Sequence, residues 1–401
     1  MIVIGAGAAG ILAALGAAEK GSKVLLLEKT PRIGTKILMS GGGKCNISHA
    51  GPLEEVLRAF RPHEARFIRP ACYRLTNEQL VELFTSRGLE VYTRPDGRIF
   101  PTHGSAKDVV AILKSYLDDA KITVLTETPV TQIDPGFTVV TPRGPFSAPA
   151  LVVTVGGSSY PKSGTTGDGW PWAAQFGHSV AQIRAALAPM TLTPAPSELA
   201  GVALRDCVLH GRQGGKRVVE WRGDLLFTHH GVSGPTSLGV SRVVAEKQDS
   251  GPVTLTVDTC PDQSNEALTA QLLAWSPKKL VRGFVEEILP AAAALALFES
   301  LGLDPQLINQ YLGKKERNRL VETLKAWPIG TVREVVLDKG EVVAGGVSLD
   351  EVDPQTLESR LCKGLYWAGE VLDIAGPVGG YNLQAAFATG WVAGQSAASG
   401  A

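Results

Sequence analysis

A short apolar run, Ile2 to Ile4, leads directly into Gly5-Ala6-Gly7-Ala8-Ala9-Gly10, and that junction limits the folds open to this chain more than any other feature. The run reads as a buried strand, Ala8 to Lys20 as a helix closed by Gly21, and Val24 to Leu27 as a second buried strand ending at Glu28. Two apolar strands joined by a helix make a parallel β-α-β unit, the opening of a doubly wound α/β sheet. Each glycine has a mechanical task. Gly5 makes the tight turn, Gly7 lets backbone approach a pyrophosphate, and Gly10 permits close helix–sheet packing. The anion then rests on the helix N-terminus, at Ala8 and Ala9, where unpaired N–H groups and the macrodipole favour negative charge. Glu28, with Lys29 beside it, stands about twenty residues on, where a carboxylate accepts from ribose hydroxyls and disfavours a 2′-phosphate. A dinucleotide site is implied.

The far end of the chain decides which dinucleotide. Leu365 to Ala368 reads as a buried strand ending in Gly369-Glu370, and Gly379-Gly380-Tyr381-Asn382-Leu383-Gln384 opens a final apolar helix. An acid at such a strand end can bind the ribityl hydroxyls of a flavin. A helix opened by Gly380, with Tyr381, Asn382 and Leu383 in its first turn, brings backbone N–H groups to the negative charge that develops at flavin N1 and O2. NAD has no ribityl chain and gives no reason for this second site. Thr154-Val155-Gly156-Gly157 closes another strand and adds a third glycine turn facing the same dinucleotide, so Thr154, Gly156 and Gly157 join the expected FAD contacts. No second GxGxxG follows a later strand, and Gly164-Thr165-Thr166-Gly167-Asp168-Gly169 has the wrong spacing. Without a nicotinamide domain, either NAD(P)H visits the flavin transiently as a co-substrate or the substrate itself reduces it.

Between these ends, short strands at Ile122 to Leu125, Val130 to Ile133, Thr138 to Thr141 and Leu151 to Thr154 suggest a small meander attached to the Rossmann sheet. After about residue 185 prolines punctuate a β-rich stretch, and from Asn265 the pattern becomes helical, with Lys278 to Phe298 interrupted at Pro290. The division expected is an FAD-binding domain in two parts, 1–185 and 331–401, with an inserted β subdomain at 186–260 and an inserted helical subdomain at 261–330.

Charge and cysteines narrow the function classes. Lys plus Arg and Asp plus Glu both number 39, and no basic run stands out, so nothing favours nucleic acid or an anionic membrane surface as partner. Five scattered cysteines with no CxxC pair argue against a disulfide framework and a metal site, and for a reducing cytoplasm. Ile2 to Ala18 lacks the positive leader of a signal peptide, and Leu289 to Phe298 is half the roughly 20 residues that span a bilayer. A soluble protein acting on a small molecule is the expectation.

The strings GTKILMSGGGKCN, LLFTHHGVSGP, AGGVSLDEVDPQTLESRL and GLYWAGEVLDIAGPVGGYNLQAAFATGWVAG resemble the BaiN-like bacterial flavoprotein family over nearly the whole chain. The resemblance implies a Rossmann-like two-site FAD-binding α/β domain with an inserted β-barrel and helical subdomain. It also implies that Lys36, Gly42, Gly43 and Asn46 line the FAD and that the Val130 backbone meets the adenine. Members of the family include flavin-dependent reductases of bile-acid enones and aminoacetone oxidases. One departure is Gly376-Pro377-Val378, a stiffer and less polar loop than the family pattern.

Three residues stand as catalytic candidates. Cys45 follows the glycine loop but has no resolving partner nearby, so a packing role competes with a redox one. His229 and His230 would point to opposite faces of a strand, leaving His230 as a proton donor or an ordinary insert residue. Tyr381 is set by the Gly-Gly turn and either acts as an acid or covers the cofactor. The reading is an oxidoreductase with non-covalent FAD passing hydride through flavin N5, with NAD(P)H-driven reduction of a small or hydrophobic enone ahead of amine oxidation by O2. A different class, FAD held structurally while the insert binds a macromolecule, is disfavoured for nucleic acid by the charge balance.

Overall fold

The apolar runs from the two ends of the chain meet in one sheet. In the computed structural model, which describes residues 1–400, five strands are parallel: β1 (Ile2–Ile4), β2 (Leu25–Leu27), β3 (Thr123–Leu125), β4 (Leu151–Val153) and β5 (Leu365–Trp367). Their order across the sheet is β5-β4-β1-β2-β3. Ile2 lies opposite Leu25 on one side and Leu151 on the other, and Leu151 lies opposite Leu365. Every residue of β1, β4 and β5 is buried, which is why these strands read as unbroken apolar runs rather than alternating ones. The chain builds outward through β1, β2 and β3, then returns to the other flank of β1. Parallel sheets bind ligands beyond the carboxyl ends of the strands at such a reversal.

Two helices fix this arrangement, α1 (Ala8–Glu19) and the carboxyl-terminal α2 (Tyr381–Ser399). They pack backbone against backbone. A Cβ on Gly390 would lie 2.0 Å from the Ala9 carbonyl oxygen, and one on Gly394 would lie 1.9 Å from that of Ala13. From the other side, a Cβ on Gly16 would lie 2.6 Å from the Trp391 carbonyl oxygen.

The chain divides into two compact units, one made of Met1–Ile183 with the chain from Glu341 onward, the other of Arg184–Gly340. Besides the parallel sheet, the first unit carries an antiparallel meander (Gln132–Asp134, Thr138–Thr141, Gly144–Ser147). The expected meander strands at Ile122 to Leu125 and Leu151 to Thr154 instead lie in the parallel sheet as β3 and β4, because Leu27 pairs with Leu125 and Ile2 with Leu151. A second small sheet joins Ser48–His49, Arg98–Pro101 and Val91–Thr93.

The second unit is built on a closed antiparallel barrel. Around it run Met190–Thr193, Gly231–Ser233, Lys216–Thr228, Ala203–Gln213, Thr254–Asp258 and Trp327–Val335. The last of these strands pairs with both Met190–Thr193 and Thr254–Asp258, so the boundary expected at 330 cuts through a barrel strand. The helices Asn265–Ala274, Val281–Glu286, Ala291–Leu301 and Lys314–Lys325 are therefore an excursion between two neighbouring barrel strands, and insert barrel and insert helices form one unit ending at Gly340. Pro290 separates two of those helices, as its missing N–H requires. A helix at Pro235–Gln248, which the turn-like GVSGP string conceals, packs its Gly239 against the Trp221 ring. Among the described residues, no helix is long and apolar enough to cross a membrane.

Gly390→Ala tests the helix contact. The added methyl meets a backbone oxygen that cannot step aside, so urea unfolding is expected to show a loss of about 3 kcal/mol. Wild-type stability in this variant would mean the two backbones are not in contact.

Candidate functional site

The turn after β1 meets the end of β4 at the sheet reversal. Thr154 donates its N–H to the Ile4 carbonyl (2.9 Å), and its hydroxyl lies 2.8 Å from that oxygen and 3.0 Å from the Gly5 oxygen. Gly10 packs into the same turn, where a Cβ would fall 1.7 Å from the Gly5 oxygen. Gly7 is the opposite case, with nothing within 4 Å of where its Cβ would be. As the N-cap of α1 it offers no side-chain hydrogen bond to the first turn. Such a terminus is ready for an anion.

Glu28 is held beside this turn by backbone donors. Its Oε2 accepts from the Ala6 N–H and its Oε1 from the Thr30 N–H, both at 2.8 Å. The Glu28 carbonyl accepts from the Thr128 N–H (2.9 Å), which draws the segment carrying Val130 alongside. Lys29 is committed elsewhere: its Nζ donates to Thr166 and pairs with Asp168, each at 2.6 Å. The GTTGDG string thus has a structural use as the anchor of Lys29.

A second carboxylate stands at the end of β5. Glu370 pairs with Lys36, and its Oε1 accepts from the Val343 N–H at 3.0 Å. Lys36 also donates to Ser159 (3.0 Å), and a Cβ on Gly157 would lie 3.1 Å from the Glu370 Oε1. Lys36, Gly156, Gly157 and Glu370 are thus brought together, and Gly369 is pressed on α1, its Cβ position 2.8 Å from the Ala9 Cβ.

The opening of α2 forms a third locus. Gly380, at φ +91°, approaches Ser48 so closely that a Cβ would lie 2.5 Å from the Ser48 oxygen. Asn382 turns its side chain back onto the departing loop, accepting from the Gly376 N–H (2.8 Å) and donating to the Gly376 carbonyl (2.9 Å). That clamp restrains the loop Gly376-Pro377-Val378 and occupies the Asn382 side chain. The Gly41 to Gly43 loop has open surroundings at Gly42, and Gly41 is packed on the Asn46 backbone nitrogen.

The three catalytic candidates have different surroundings. Cys45 is fully buried, and burial pushes its thiol up to about 11, so it stays protonated. His230 belongs to the second unit. Thr228 pairs with Gly231, so His229 and His230 make a two-residue hairpin turn, both exposed, rather than occupying a strand. Tyr381 sits at the start of α2, stacked on His49 (4.5 Å between ring centroids, 21° between planes) with Phe60 edge-on at 6.1 Å. The His49 Nδ1 donates to the Gly379 carbonyl (3.0 Å), which fixes the ring. Burial raises the Tyr381 phenol, offset in part by the positive charge of Arg98.

Sequence reasoning missed His49, Phe60, Ser159 and Gln384. The Ser48 hydroxyl donates to Gln384 at 2.8 Å across 336 positions, a separation no spacing rule reaches. Among the described residues no group of three or more His, Cys, Asp or Glu could hold a metal ion.

These loci fit a flavin dinucleotide. Two helix N-termini favour anions, two tethered carboxylates can accept hydroxyls, glycine-lined space is open at Gly7 and Gly42, and the buried Asn46 keeps a carbonyl oxygen with no hydrogen-bond partner. The fold and site are those of an FAD-dependent oxidoreductase. The chain belongs to the family described as HI0933-like protein Rossmann domain, whose model matches residues 1–396. It is 31% identical over 401 residues to the ribosomal RNA dihydrouridine synthase of Escherichia coli, covering 98% of this chain and 96% of that one. It is 30% identical over 408 residues to the 3-dehydro-bile acid delta(4,6)-reductase of Clostridium scindens, covering 99% and 98%. The BaiN-like resemblance is thereby borne out. Among solved structures, 3-ketosteroid delta1-dehydrogenase from Sterolibacterium denitrificans, in complex with 1,4-androstadiene-3,17-dione, matches with a TM-score of 0.54 at 17% identity over 99% of each chain. At that identity the match shows the shared fold.

Iodoacetamide at mildly alkaline pH is expected to label the partly exposed Cys362 and leave Cys45 unmodified, with both labelled after unfolding in urea. Peptide mass spectrometry reads the outcome. Equal labelling of Cys45 and Cys362 in the folded protein would return Cys45 to the list of reactive thiols.

Proposed function

We propose that this enzyme saturates a carbon–carbon double bond conjugated to a carbonyl, with non-covalent FAD as cofactor and NAD(P)H as reductant. One observation carries the reading: two relatives matched over 96% and 98% of their lengths have names that denote this one reaction type. Dihydrouridine is uridine whose ring double bond, conjugated to a carbonyl, has been saturated. A delta(4,6)-reductase of a 3-oxo steroid removes double bonds conjugated to the oxo group. Both reactions add hydride to the carbon distal to the carbonyl and a proton to the proximal one.

When bound, the flavin supplies hydride from N5. The chain's part is binding, charge and the proton. Gly5, Gly7, Ala8, Ala9 and Gly10 cradle the pyrophosphate on the α1 terminus, Glu28 meets the ribose, and the Val130 backbone meets the adenine. Lys36, Glu370, Gly156 and Gly157 serve the ribityl chain, and the α2 terminus at Gly380 faces the ring where negative charge develops. Non-covalent retention is supported by the state of the nearby nucleophiles: Cys45 is protonated and His49 is tied to Gly379. Tyr381 is the proton donor in this reading. Its phenol is held protonated by burial, makes no hydrogen bond to a described residue, and is oriented by His49 and Phe60.

The acceptor is a small or hydrophobic enone. Balanced charge, 39 against 39, offers no surplus of cations for a polyphosphate chain. A second reading keeps the chemistry and makes the acceptor a uridine in RNA, favoured by the E. coli relative's name.

Anaerobic mixing separates these readings. NADH or NADPH should bleach the yellow holoprotein, and cyclohexenone or a steroid dienone should restore the colour while protein-free ribosomal RNA does not. Colour restored by the RNA alone would establish the second reading. Failure of both nicotinamides, with small amines bleaching instead, would replace the reductase by an amine oxidase. Tyr381→Phe should leave bleaching intact and slow colour return by about 100-fold; an unchanged rate would remove Tyr381 from the chemistry.

A further inference from the structure

The small sheet beside the α2 opening carries a cation that the site as described leaves unused. In its register His49 lies opposite Arg98, and Ser48 opposite Ile99. Directly opposed residues of an antiparallel pair send their side chains to one face, with Cβ atoms about 5 Å apart. Ser48 and Ile99 are buried, whereas His49 and Arg98 are partly exposed, so these two share the other face.

On that face His49 is already committed. Its Nδ1 donates to the Gly379 carbonyl (3.0 Å), its ring stacks on Tyr381 at 4.5 Å, and a Cβ on Gly97 would fall 2.4 Å from its Nε2. Backbone thus covers the imidazole nitrogen that could have met a ligand. Arg98 differs. Among the described residues its one ion-pair partner is Asp96, which meets Nε at 3.3 Å, and its terminal nitrogens make no hydrogen bond. A planar fork of N–H donors, held at its neck and free at its tip, suits an oxygen that carries negative charge.

Two neighbours register where that charge lies. Burial raises both the Tyr381 phenol and the Glu341 carboxyl, and the Arg98 charge opposes both shifts, joined at Glu341 by that of Lys36. Tyr381 marks the opening of α2. Glu341 belongs to the locus of Lys36 and Glu370, because its carbonyl accepts from the Ser159 hydroxyl (3.2 Å), which in turn accepts from Lys36 (3.0 Å). Arg98 is therefore felt at the ring end and at the ribityl end of the site alike.

We propose that Arg98 holds the carbonyl oxygen of the acceptor through its terminal nitrogens, beside the Tyr381 phenol. The inference rests on the conjugated-carbonyl reading above and assigns the residue that recognises the carbonyl. As the distal carbon gains hydride, the electron pair of the double bond shifts toward the carbonyl, and its oxygen becomes that of an enolate. Arg98 stabilises this charge and keeps all its protons. The proximal carbon then takes the Tyr381 proton, the carbonyl re-forms, and the phenolate recovers a proton from water. Enones and the uracil ring both present such an oxygen, so one contact serves either acceptor.

The test joins a binding titration to the colour assay. 4-Nitrophenol, whose ionised oxygen imitates that of the enolate, is titrated into oxidised holoprotein and followed by difference absorbance. The wild type should bind it as the phenolate. Arg98→Gln should bind it about 10-fold more weakly or worse, and should slow the return of colour with cyclohexenone by about 100-fold at unchanged FAD content. Arg98→Lys, which keeps the charge and loses the fork, should fall between the two and serves the comparison should the glutamine variant fold poorly. Failure of the wild type to bind the phenolate, or an affinity unchanged in both variants, would remove Arg98 from the acceptor site even if colour return were slowed. A wild type whose colour neither cyclohexenone, nor a steroid dienone, nor RNA restores would instead overturn the conjugated-carbonyl reading, and this inference with it.

Discussion

The contact between α1 and α2 is the constraint from which the site follows. Gly390 against Ala9 and Gly394 against Ala13 follow one another in the same order along both helices, so the two run parallel. Ala9 is the second residue of α1, whereas Gly390 lies deep within α2. The α2 terminus therefore projects past that of α1 by about eight residues, roughly 12 Å of helical rise. Two positive helix ends thus stand at different points along one line. An extended dinucleotide presents negative charge at its pyrophosphate and, on reduction, at its ring, and a staggered pair of termini matches that spacing in kind. Bulkier residues at the contact would separate the helices and lose the stagger, which explains the small-residue content of both.

Charge at the site is arranged before any ligand arrives. Glu28 receives two backbone N–H groups, and Glu370 receives Lys36 and a backbone N–H from Val343. Each carboxylate is thereby aimed, with lone pairs left for hydroxyl donors. Because the donors are mostly main chain, their positions are set by strand ends rather than by side-chain rotamers, and little ordering remains to oppose binding. Lys29 and Asn382 show the complementary economy. Their side chains hold Asp168 and the Gly376 loop in place.

Local patterns were legible in the sequence and long-range pairings were not. The β1–turn–α1–β2 unit and the acid that ends it follow from apolar periodicity and glycine spacing within about thirty residues. The opening of α2 was equally readable from its paired glycines. The barrel was not divisible by composition, because its closing strand, Trp327–Val335, follows four helices and finds its partners some seventy and more residues upstream. The two histidines at 229 and 230 gave no turn signal, lacking the Gly or Asn that usually marks a two-residue hairpin, and only the register of Thr228 with Gly231 reveals it. The helix at Pro235–Gln248 was hidden for the converse reason, since Gly234-Pro235 reads as a break when it is a helix start.

Where the protein leaves its own rules unsatisfied is informative in the same physical terms. Most buried polar groups of the first unit are answered internally: Trp367 Nε1 donates to His178 Nε2 at 3.1 Å, and the Gln384 amide reaches the Leu75 carbonyl at 2.9 Å. Two side-chain atoms are left without a hydrogen bond, His178 Nδ1 and Asn46 Oδ1, and Asn46 lies on a segment where Gly42 faces open space and Cys45 is held at φ +61°. A left-handed cysteine and an orphaned amide each raise the free energy of the folded chain. Such strain is tolerable where a bound partner relieves it. A ligand that bound at such a segment, and only to the folded chain, would stabilise it with the logarithm of its concentration over Kd and so offset that cost.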